Sequence, residues 1–348
     1  MASIQSNLAK YFIRQLRQQS LHYLKDIRLM RIEQDKALSR IRPPKNVQFK
    51  PINIGHIGAE WVIPSLTDHK FPNRVIMYLH GGGYAVGSPS SHRGLVGKLS
   101  SEMGISAINV DYRLAPEHPY PAGLQDAVQV YCWLLEERGY NPEQIIFMGD
   151  SAGGGLTLST LLKIKDLSLP QPLAAAVISP WTDLSLSGDS IFTHQDKDPL
   201  LLVEHAKIWA EWYHAEASAT NPFVSPLFGD YRGVAPIYIQ VGTDEILLSD
   251  SLRMIEVAKS QNVDITVDIW DSMMHVWHFG WPYVPEARQA IQKITKHIHE
   301  IVASDKAQNH PMINPLKAAT ETTEADKENL SNSWLRFGSD MLKNFWKP

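Results

Sequence analysis

Residues 145–155 read IIFMGDSAGGG, an apolar run that leads into a serine set among glycines. The run is typical of a buried parallel strand, and the residues after it have the pattern of a helix. A serine on a sharp strand-to-helix turn needs nearly side-chain-free residues two positions to either side, which Gly149 and Gly153 supply. The stretch therefore predicts parallel strands covered by helices, with the Ser151 hydroxyl exposed at the carboxyl edge of the sheet.

A second glycine cluster, HGGG at residues 80–83, follows the apolar run VIMYL. Consecutive glycines let backbone amides approach a bound group closely. We expect the amides of Gly81 and Gly82, together with that of Ala152, to stabilise negative charge developing on an oxygen near the serine, at roughly 3 kcal/mol per donor. A plain flexible turn is the alternative for each cluster alone, but it does not explain why both follow strands.

A serine hydroxyl needs a base to take its proton and a carboxylate to orient that base. Asp244 lies just past the apolar run IYIQVG, and His275 just past the run ITVDIW. Since the carboxyl ends of parallel strands meet at one edge of a sheet, these positions predict Asp244 and His275 as the partners of Ser151. Glu245, next to Asp244, and His278 remain alternatives for the acid and the base.

Between about residues 50 and 302, short apolar or β-branched runs alternate with longer segments of helical period. This alternation predicts an α/β fold with an eight-stranded, mostly parallel sheet flanked by helices. We expect the strands at 51–56, 59–63, 75–80, 105–111, 145–149, 174–179, 237–242 and 265–270.

Two further stretches complete a resemblance to a known family. The chain resembles the hormone-sensitive-lipase-like carboxylesterases of the α/β-hydrolase superfamily over about residues 45–302. The resemblance implies the α/β-hydrolase fold with a helical cap, a catalytic triad of Ser151, Asp244 and His275, and no cofactor. It rests on HGGG at 80–83, DYRLAPEHPYPA at 111–122, GDSAGG at 149–154, SPWTDL at 179–184 and the segments around Asp244 and His275.

The activity that this resemblance implies is hydrolysis of short to medium acyl esters through an acyl-enzyme intermediate on Ser151. The implied oxyanion hole consists of Gly81, Gly82 and Ala152. An amide or lactone hydrolase with the same triad is the alternative within the enzymes, because no motif encodes the leaving group. A small-molecule binder without catalysis is the alternative outside them, and the presence of serine, acid and histidine argues against it.

Composition divides the chain into segments. Residues 1–45 are basic and helix-prone, and we expect them to build part of a cap over a catalytic domain at 46–302, which carries a second cap element at about 183–222. Residues 303–331 are mostly polar and charged and predict a flexible linker. Residues 332–348 place their apolar and aromatic side chains on one half of a helical wheel, which predicts an amphipathic helix.

Charge and cysteine content restrict the partners and the location. Lys and Arg total 33 and Asp and Glu 37, a net charge of −4 that does not favour nucleic acid as a partner. The histidines lack metal-ligand spacing, so no metal is predicted. One cysteine, no signal-peptide pattern and no long apolar stretch favour a cytoplasmic location. The amphipathic helix suits peripheral contact with a lipid or granule surface; docking on the enzyme's own body or on a second subunit of a homodimer is the alternative.

Overall fold

The structure, a computed structural model, describes residues 2–20, 26–65 and 70–305. All of them belong to one structural unit. The predicted amphipathic helix at 332–348 and the predicted linker from residue 306 onward lie outside the described residues. Within the described ranges, no helix combines the length and the apolar character needed to cross a bilayer.

Eight strands of the described chain form one sheet with the order β1-β2-β4-β3-β5-β6-β7-β8. The pairs β1·β2 and β2·β4 are antiparallel, and all other neighbours are parallel. The predicted eight-stranded, mostly parallel sheet is therefore confirmed. The strands are β1 Val47–Ile54, β2 Ile57–Pro64, β3 Val75–Leu79, β4 Ser106–Asp111, β5 Ile145–Asp150, β6 Ala174–Ile178, β7 Ile237–Gly242 and β8 Ile265–Trp270.

The first strand differs most from its prediction. It begins at Val47 rather than residue 51 and ends before a tight turn at Gly55, whose φ of +60° suits a glycine. β1 is an edge strand and only partly buried, so it lacks the continuous apolar run that marks the central strands. The six strands from β3 to β8 were easier to place because they are mostly apolar and bounded by turn residues.

Helices cover both faces of the sheet. On one face, Leu95 and Ile294 belong to a core cluster that also contains Ile76 and Ile146 of the sheet. Phe147, next in strand β5, points to the other face and packs edge-on against Tyr131 with ring centroids 5.0 Å apart. The helices are α1 Ile4–Ser20, α2 Ile27–Leu38, α3 Pro89–Met103, α4 Ala122–Glu136, α5 Ser151–Asp166, α6 Ser190–Thr193, α7 Val203–His214, α8 Leu248–Gln261 and α9 Pro285–Ser304.

The loops after β3, β5, β6, β7 and β8 meet at the carboxyl edge of the sheet, because these strands are parallel. Helix α2 contacts this edge through Arg31, which donates to the carbonyls of Ala85 and Ala115 at 2.8 and 2.9 Å. Arg31 also forms an ion pair with Glu117 at 2.6 Å. Helices α1 and α7 also contact the loops at this edge of the sheet.

Candidate active site

Ser151 lies at the sharp turn between β5 and α5, as the sequence predicts. Its φ of +53° is in the left-handed region, a strained conformation for a serine. A Cβ at Gly149 would overlap the carbonyl of Gly153, and a Cβ at Gly153 would overlap the carbonyl of Leu79. Both glycines are therefore needed for the turn to close against β3.

His275 contacts the serine directly. Its Nε2 lies 2.9 Å from Ser151 Oγ, and the imidazole is almost fully buried. The residue stands on the loop after β8, directly before Val276, whose φ is +45°. The structure thus brings together two of the three residues predicted for the triad, in the geometry of a base beside a nucleophile.

The third partner is Glu245 and not Asp244. Glu245 Oε2 lies 2.8 Å from His275 Nδ1, and its side chain is fully buried. Asp244 turns to the other side of the loop, where Oδ2 pairs with Lys10 Nζ at 2.9 Å. The prediction of Asp244 as the orienting acid is wrong, because adjacent residues of this turn project in opposite directions. Glu245, the alternative predicted for the acid, lies against His275 instead.

The carboxylate of Glu245 is held on its second oxygen as well. Oε1 accepts hydrogen bonds from the Gly242 amide at 2.6 Å and from Ser179 Oγ at 2.9 Å. With Oε2 accepting from His275 Nδ1, the imidazole presents its unprotonated Nε2 to the hydroxyl of Ser151. That tautomer is the one that can accept the serine proton.

The environment favours a charged His275 once a proton arrives. Burial alone would lower the pKa of His275, but the hydrogen bond and charge of Glu245, joined by the charges of Asp198 and Asp150, raise it above 6.5. His278 behaves oppositely, since burial lowers its pKa to about 3. Its Nε2 lies 2.7 Å from Gln240 Oε1, so it does not serve as an alternative partner of the serine.

The glycine loop corrects one predicted oxyanion donor. The Gly81 amide donates to Asp150 Oδ1 at 3.0 Å and is therefore already engaged inside the fold. Burial alone would raise the pKa of Asp150, but His92, Tyr78 and His80 together hold it below its ordinary value, so the carboxylate is an ionised acceptor.

Three other amides are available at this place. Within the described part of the chain, the amides of Gly82, Gly83 and Ala152 donate to no protein acceptor. Gly82 has φ +119° and Gly83 has φ +59°, backbone conformations that side chains rarely allow. The predicted donors Gly82 and Ala152 remain consistent with this geometry, and the third unengaged amide is that of Gly83 and not the predicted Gly81.

The chain is similar in sequence to a family model and to known proteins. A family model described as an alpha/beta hydrolase fold matches residues 76–279. An acetyl-hydrolase of Streptomyces hygroscopicus is 40% identical over 250 residues, which cover 72% of this chain and 81% of that protein. The match to the family model includes both the glycine loop and the segment that carries His275.

Solved structures are similar over most of the chain. An esterase from the bacterial hormone-sensitive lipase family has a TM-score of 0.81 at 32% identity, covering 87% of this chain and 99% of that one. The chain belongs to the hormone-sensitive-lipase-like family of α/β hydrolases. EstE5, in a crystal soaked with p-nitrophenyl butyrate, has a TM-score of 0.78 at 35% identity, covering 87% and 100%. The protein is a serine esterase of this family.

Two residues of the esterase site were not found from the sequence. Ser179, with φ +46°, donates to Glu245 and accepts from the Val276 amide at 3.3 Å, so it joins the acid to the histidine loop. It begins the SPWTDL stretch at 179–184, which is the sequence signal that points to it. Asp198 is fully buried and accepts from the amide of Ile246 at 2.9 Å. Nothing in its local sequence marks it.

Aromatic side chains of α7 close over the glycine loop of the esterase. A Cβ at Gly83 would overlap the indole ring of Trp209, so this ring lies directly on the loop. Tyr213, one turn further along α7, stacks on Tyr84 with ring centroids 3.7 Å apart. Aromatic rings of α7 therefore lie against the loop that carries the unengaged amides of Gly82 and Gly83. Among the described residues, no group of three or more His, Cys, Asp or Glu side chains could hold a metal ion.

Proposed function

We propose that this esterase hydrolyses short to medium acyl esters with Ser151 as nucleophile, His275 as general base and Glu245 as the carboxylate that orients the base. The observation that carries the proposal is the continuous chain of two hydrogen bonds, Ser151 to His275 at 2.9 Å and His275 to Glu245 at 2.8 Å. Every member of this chain is largely or fully buried, which strengthens its electrostatic interactions.

The reaction follows from these contacts. Ser151 Oγ attacks the ester carbonyl while its proton passes to His275 Nε2. The buried carboxylate of Glu245 stabilises the imidazolium, which then protonates the leaving alcohol. Water attacks the acyl enzyme through the same base and restores Ser151. The raised pKa of His275 supports the step in which the ring carries the proton.

We assign the oxyanion hole to the amides of Gly82, Gly83 and Ala152. The free amide of Ala152 lies at the N-terminus of α5, where backbone dipoles favour negative charge. The engaged amide of Gly81 acts indirectly, because its bond to Asp150 holds the loop after β3 against the turn that carries Ser151. Asp150 in turn accepts from Tyr78 at 2.8 Å.

The limit on acyl length is inferred from the aromatic rings. Trp209 lies on Gly83, and Tyr213 stacks on Tyr84, so bulky side chains stand close to where the acyl carbonyl would sit. Related proteins agree with this choice, since one is an acetyl-hydrolase and EstE5 was soaked with a butyrate ester. An apolar wall at this place favours acyl groups of a few carbons over long chains.

The test is a series of p-nitrophenyl esters, from acetate through butyrate and octanoate to palmitate, with Ser151→Ala as the control. We expect turnover of the short esters and loss of nearly all of it in the variant. Faster turnover of emulsified palmitate would remove the short-chain proposal. Hydrolysis of matched anilides at rates equal to those of the esters would mean that the protein is an amide hydrolase. No hydrolysis of any of these substrates would favour a small-molecule binder.

A second experiment tests the wall. Trp209→Ala removes the ring from Gly83 and is expected to move the preferred ester to a longer acyl chain. Trp212→Ala is the matched control, because it deletes an indole from the same helix and the same cluster around Met30 and Ala85. An equal shift in both variants would mean that the cluster, and not the Trp209 ring, sets the preference.

The lipid contact is proposed from the sequence alone. We propose that the predicted helix at 332–348 binds a lipid or granule surface, which would add peripheral association to a cytoplasmic location. Flotation with anionic liposomes would compare the full chain with a variant carrying Trp334→Ser, Phe345→Ser and Trp346→Ser. Equal flotation would remove the proposal. The cytoplasmic location and the homodimer both stay predictions.

A further inference from the structure

We propose that Lys10 of helix α1 is a positioning residue for hydrolysis: it joins the loops that carry the acid and the base. The proposal rests on the assignment of Glu245 and His275 above. Lys10 touches none of the reacting atoms. Its contribution would come through the loops whose relative position sets the contact between the two catalytic side chains.

The ammonium of Lys10 lies between two loops. Nζ is 2.9 Å from Asp244 Oδ2, on the loop after β7, and 3.1 Å from the carbonyl oxygen of Ser272, on the loop after β8. Asp244 directly precedes Glu245, and Ser272 precedes His275 by one short turn. The lysine side chain is only 15% exposed, so water competes little for these contacts.

The two loops are otherwise joined by a few bonds. The Ser272 amide donates to Thr243 Oγ1 at 2.7 Å, and the Asp244 amide donates to the Met273 carbonyl at 2.9 Å. Lys10 adds a charged donor to the same junction, and charge-assisted hydrogen bonds are the stronger kind. A small change in loop separation would pass directly to the Glu245 to His275 contact.

Helix α1 also reaches the residue on the other side of Glu245. Arg17 donates to the main-chain carbonyl of Asp198. The Asp198 carboxylate accepts from the amide of Ile246 at 2.9 Å. Both chain neighbours of Glu245 are thus held by contacts that lead back to α1, Asp244 directly and Ile246 through Asp198. This arrangement is more specific than a single ion pair on a surface.

The helix itself is seated independently of these contacts. The amide and hydroxyl of Ser3 donate to the two carboxylate oxygens of Glu286 at 2.6 and 2.8 Å. Ala9 and Ile13 pack against the cluster that contains Trp277. Removing the charge of Lys10 should therefore leave α1 in place, which allows its positioning effect to be measured apart from unfolding.

The experiment measures kcat and KM for p-nitrophenyl butyrate in the full-length Lys10→Met and Lys10→Arg variants. We expect Lys10→Met to lower kcat by about tenfold, since catalysis is sensitive to misplacements of an ångström or less, with KM changed less than about twofold. Lys10→Arg, which keeps a cationic donor, should recover most of the rate. Lys36→Met is the matched control, because Lys36 pairs with Glu33 on the exposed surface of α2.

A spectroscopic measurement reports on the contact itself. The Nδ1 proton of His275, shared with Glu245, should give a far-downfield proton resonance in the wild type. We expect this resonance to move or broaden in Lys10→Met and to be unchanged in Lys36→Met. A purely structural ion pair would change the melting temperature without changing this resonance.

Two outcomes would overturn the proposal. One is a kcat for Lys10→Met within about twofold of the Lys36→Met value. The other is a rate loss that Lys10→Arg does not restore and that follows KM or the melting temperature. Glu245→Gln separates this failure from failure of the triad. If Glu245→Gln is inactive while Lys10→Met is normal, only the positioning role is lost; if Glu245→Gln is fully active, the triad assignment itself fails.

Discussion

The two halves of the esterase site are built by different means. On the nucleophile half, Ser151 and the glycine loop are fixed by backbone packing, since β3 and β5 are paired in register and Gly153 lies against the carbonyl of Leu79. On the acid and base half, Glu245 and His275 follow the paired strands β7 and β8, and side chains such as Lys10 and Ser179 add to the main-chain bonds between their loops.

The difference lies in what each half can tolerate. At Gly82, Gly149 and Gly153 the nucleophile half has no room for added atoms, because the nearest atoms are main-chain carbonyls that cannot move aside. The acid and base half can lose one side-chain contact and keep the others. Substitutions there should therefore lower kcat by graded amounts. Substitutions on the two halves therefore test the comparison, and their effects are expected to differ in kind.

The largest expected effect separates two adjacent carboxylates on the acid half. Glu245→Gln keeps the shape of the side chain but removes the charge that holds the His275 tautomer, so we expect kcat to fall by about 10³-fold or more. Asp244→Asn should lower kcat by less than about fivefold, because Lys10 keeps the Ser272 carbonyl as a partner. Steady-state kinetics on p-nitrophenyl butyrate at one pH would measure both.

The ratio of the two variants is the informative quantity. Equal losses would mean that the loop acts as a unit, and a larger loss in Asp244→Asn would return the acid to that residue. Circular dichroism and melting curves for both proteins would show that neither substitution unfolds the chain.

The comparison also explains what could be predicted from the sequence. Backbone-built features leave local marks: the glycines at 149 and 153 and the HGGG run at 80–83 mark turns that admit no side chain, so Ser151 was found from a few residues. The strands β3 to β7 were found for a similar reason, because burial on both faces produces nearly continuous apolar runs. β8 is a partly buried edge strand and was found from its β-branched residues.

Features built by side chains leave no such marks. Asp244 and Glu245 have the same chemistry and adjacent positions, and the choice between them depends on which way each projects from a turn. The Gly81 amide was misassigned for a related reason, since its partner Asp150 lies in a distant part of the chain. Lys10, Ser179 and Asp198 contribute through contacts across the fold that local patterns do not encode.

The second prediction tests the backbone-built half. A Cβ at Gly82 would overlap the Val86 carbonyl, and the φ of +119° is unfavourable for any side chain. Gly82→Ala should displace the oxyanion loop and lower kcat by about 10²-fold or more. Gly139→Ala is the control, because Gly139 also has a positive φ but nothing lies within 4 Å of the added atom. Equal activity in the two variants would show that the loop is not rigid.

The third prediction probes a graded contact on the acid half. Ser179→Ala removes one of two donors to Glu245 Oε1 and leaves the Gly242 amide in place, so we expect kcat to fall by about tenfold with KM nearly unchanged. Ser100→Ala is the control, because that buried hydroxyl donates to the Ile105 carbonyl away from the site. A loss as large as that of Glu245→Gln would place Ser179 among the residues the acid cannot do without.

The smallest expected effect is a shift in pH dependence. His275 must be neutral to take the serine proton, so kcat/KM should fall as the pH falls through its pKa, which Glu245 raises above 6.5. The midpoint of the pH profile for the residual rate of Glu245→Gln should move to a lower pH. Burial then lowers the pKa of His275 without the opposing charge of Glu245. His278→Gln should leave the wild-type profile in place, since the pKa of His278 is already near 3 and glutamine can keep the donor to Gln240. A wild-type midpoint below 6.5, or a midpoint that moves in His278→Gln, would contradict the assignment of the base and its charge to His275 alone.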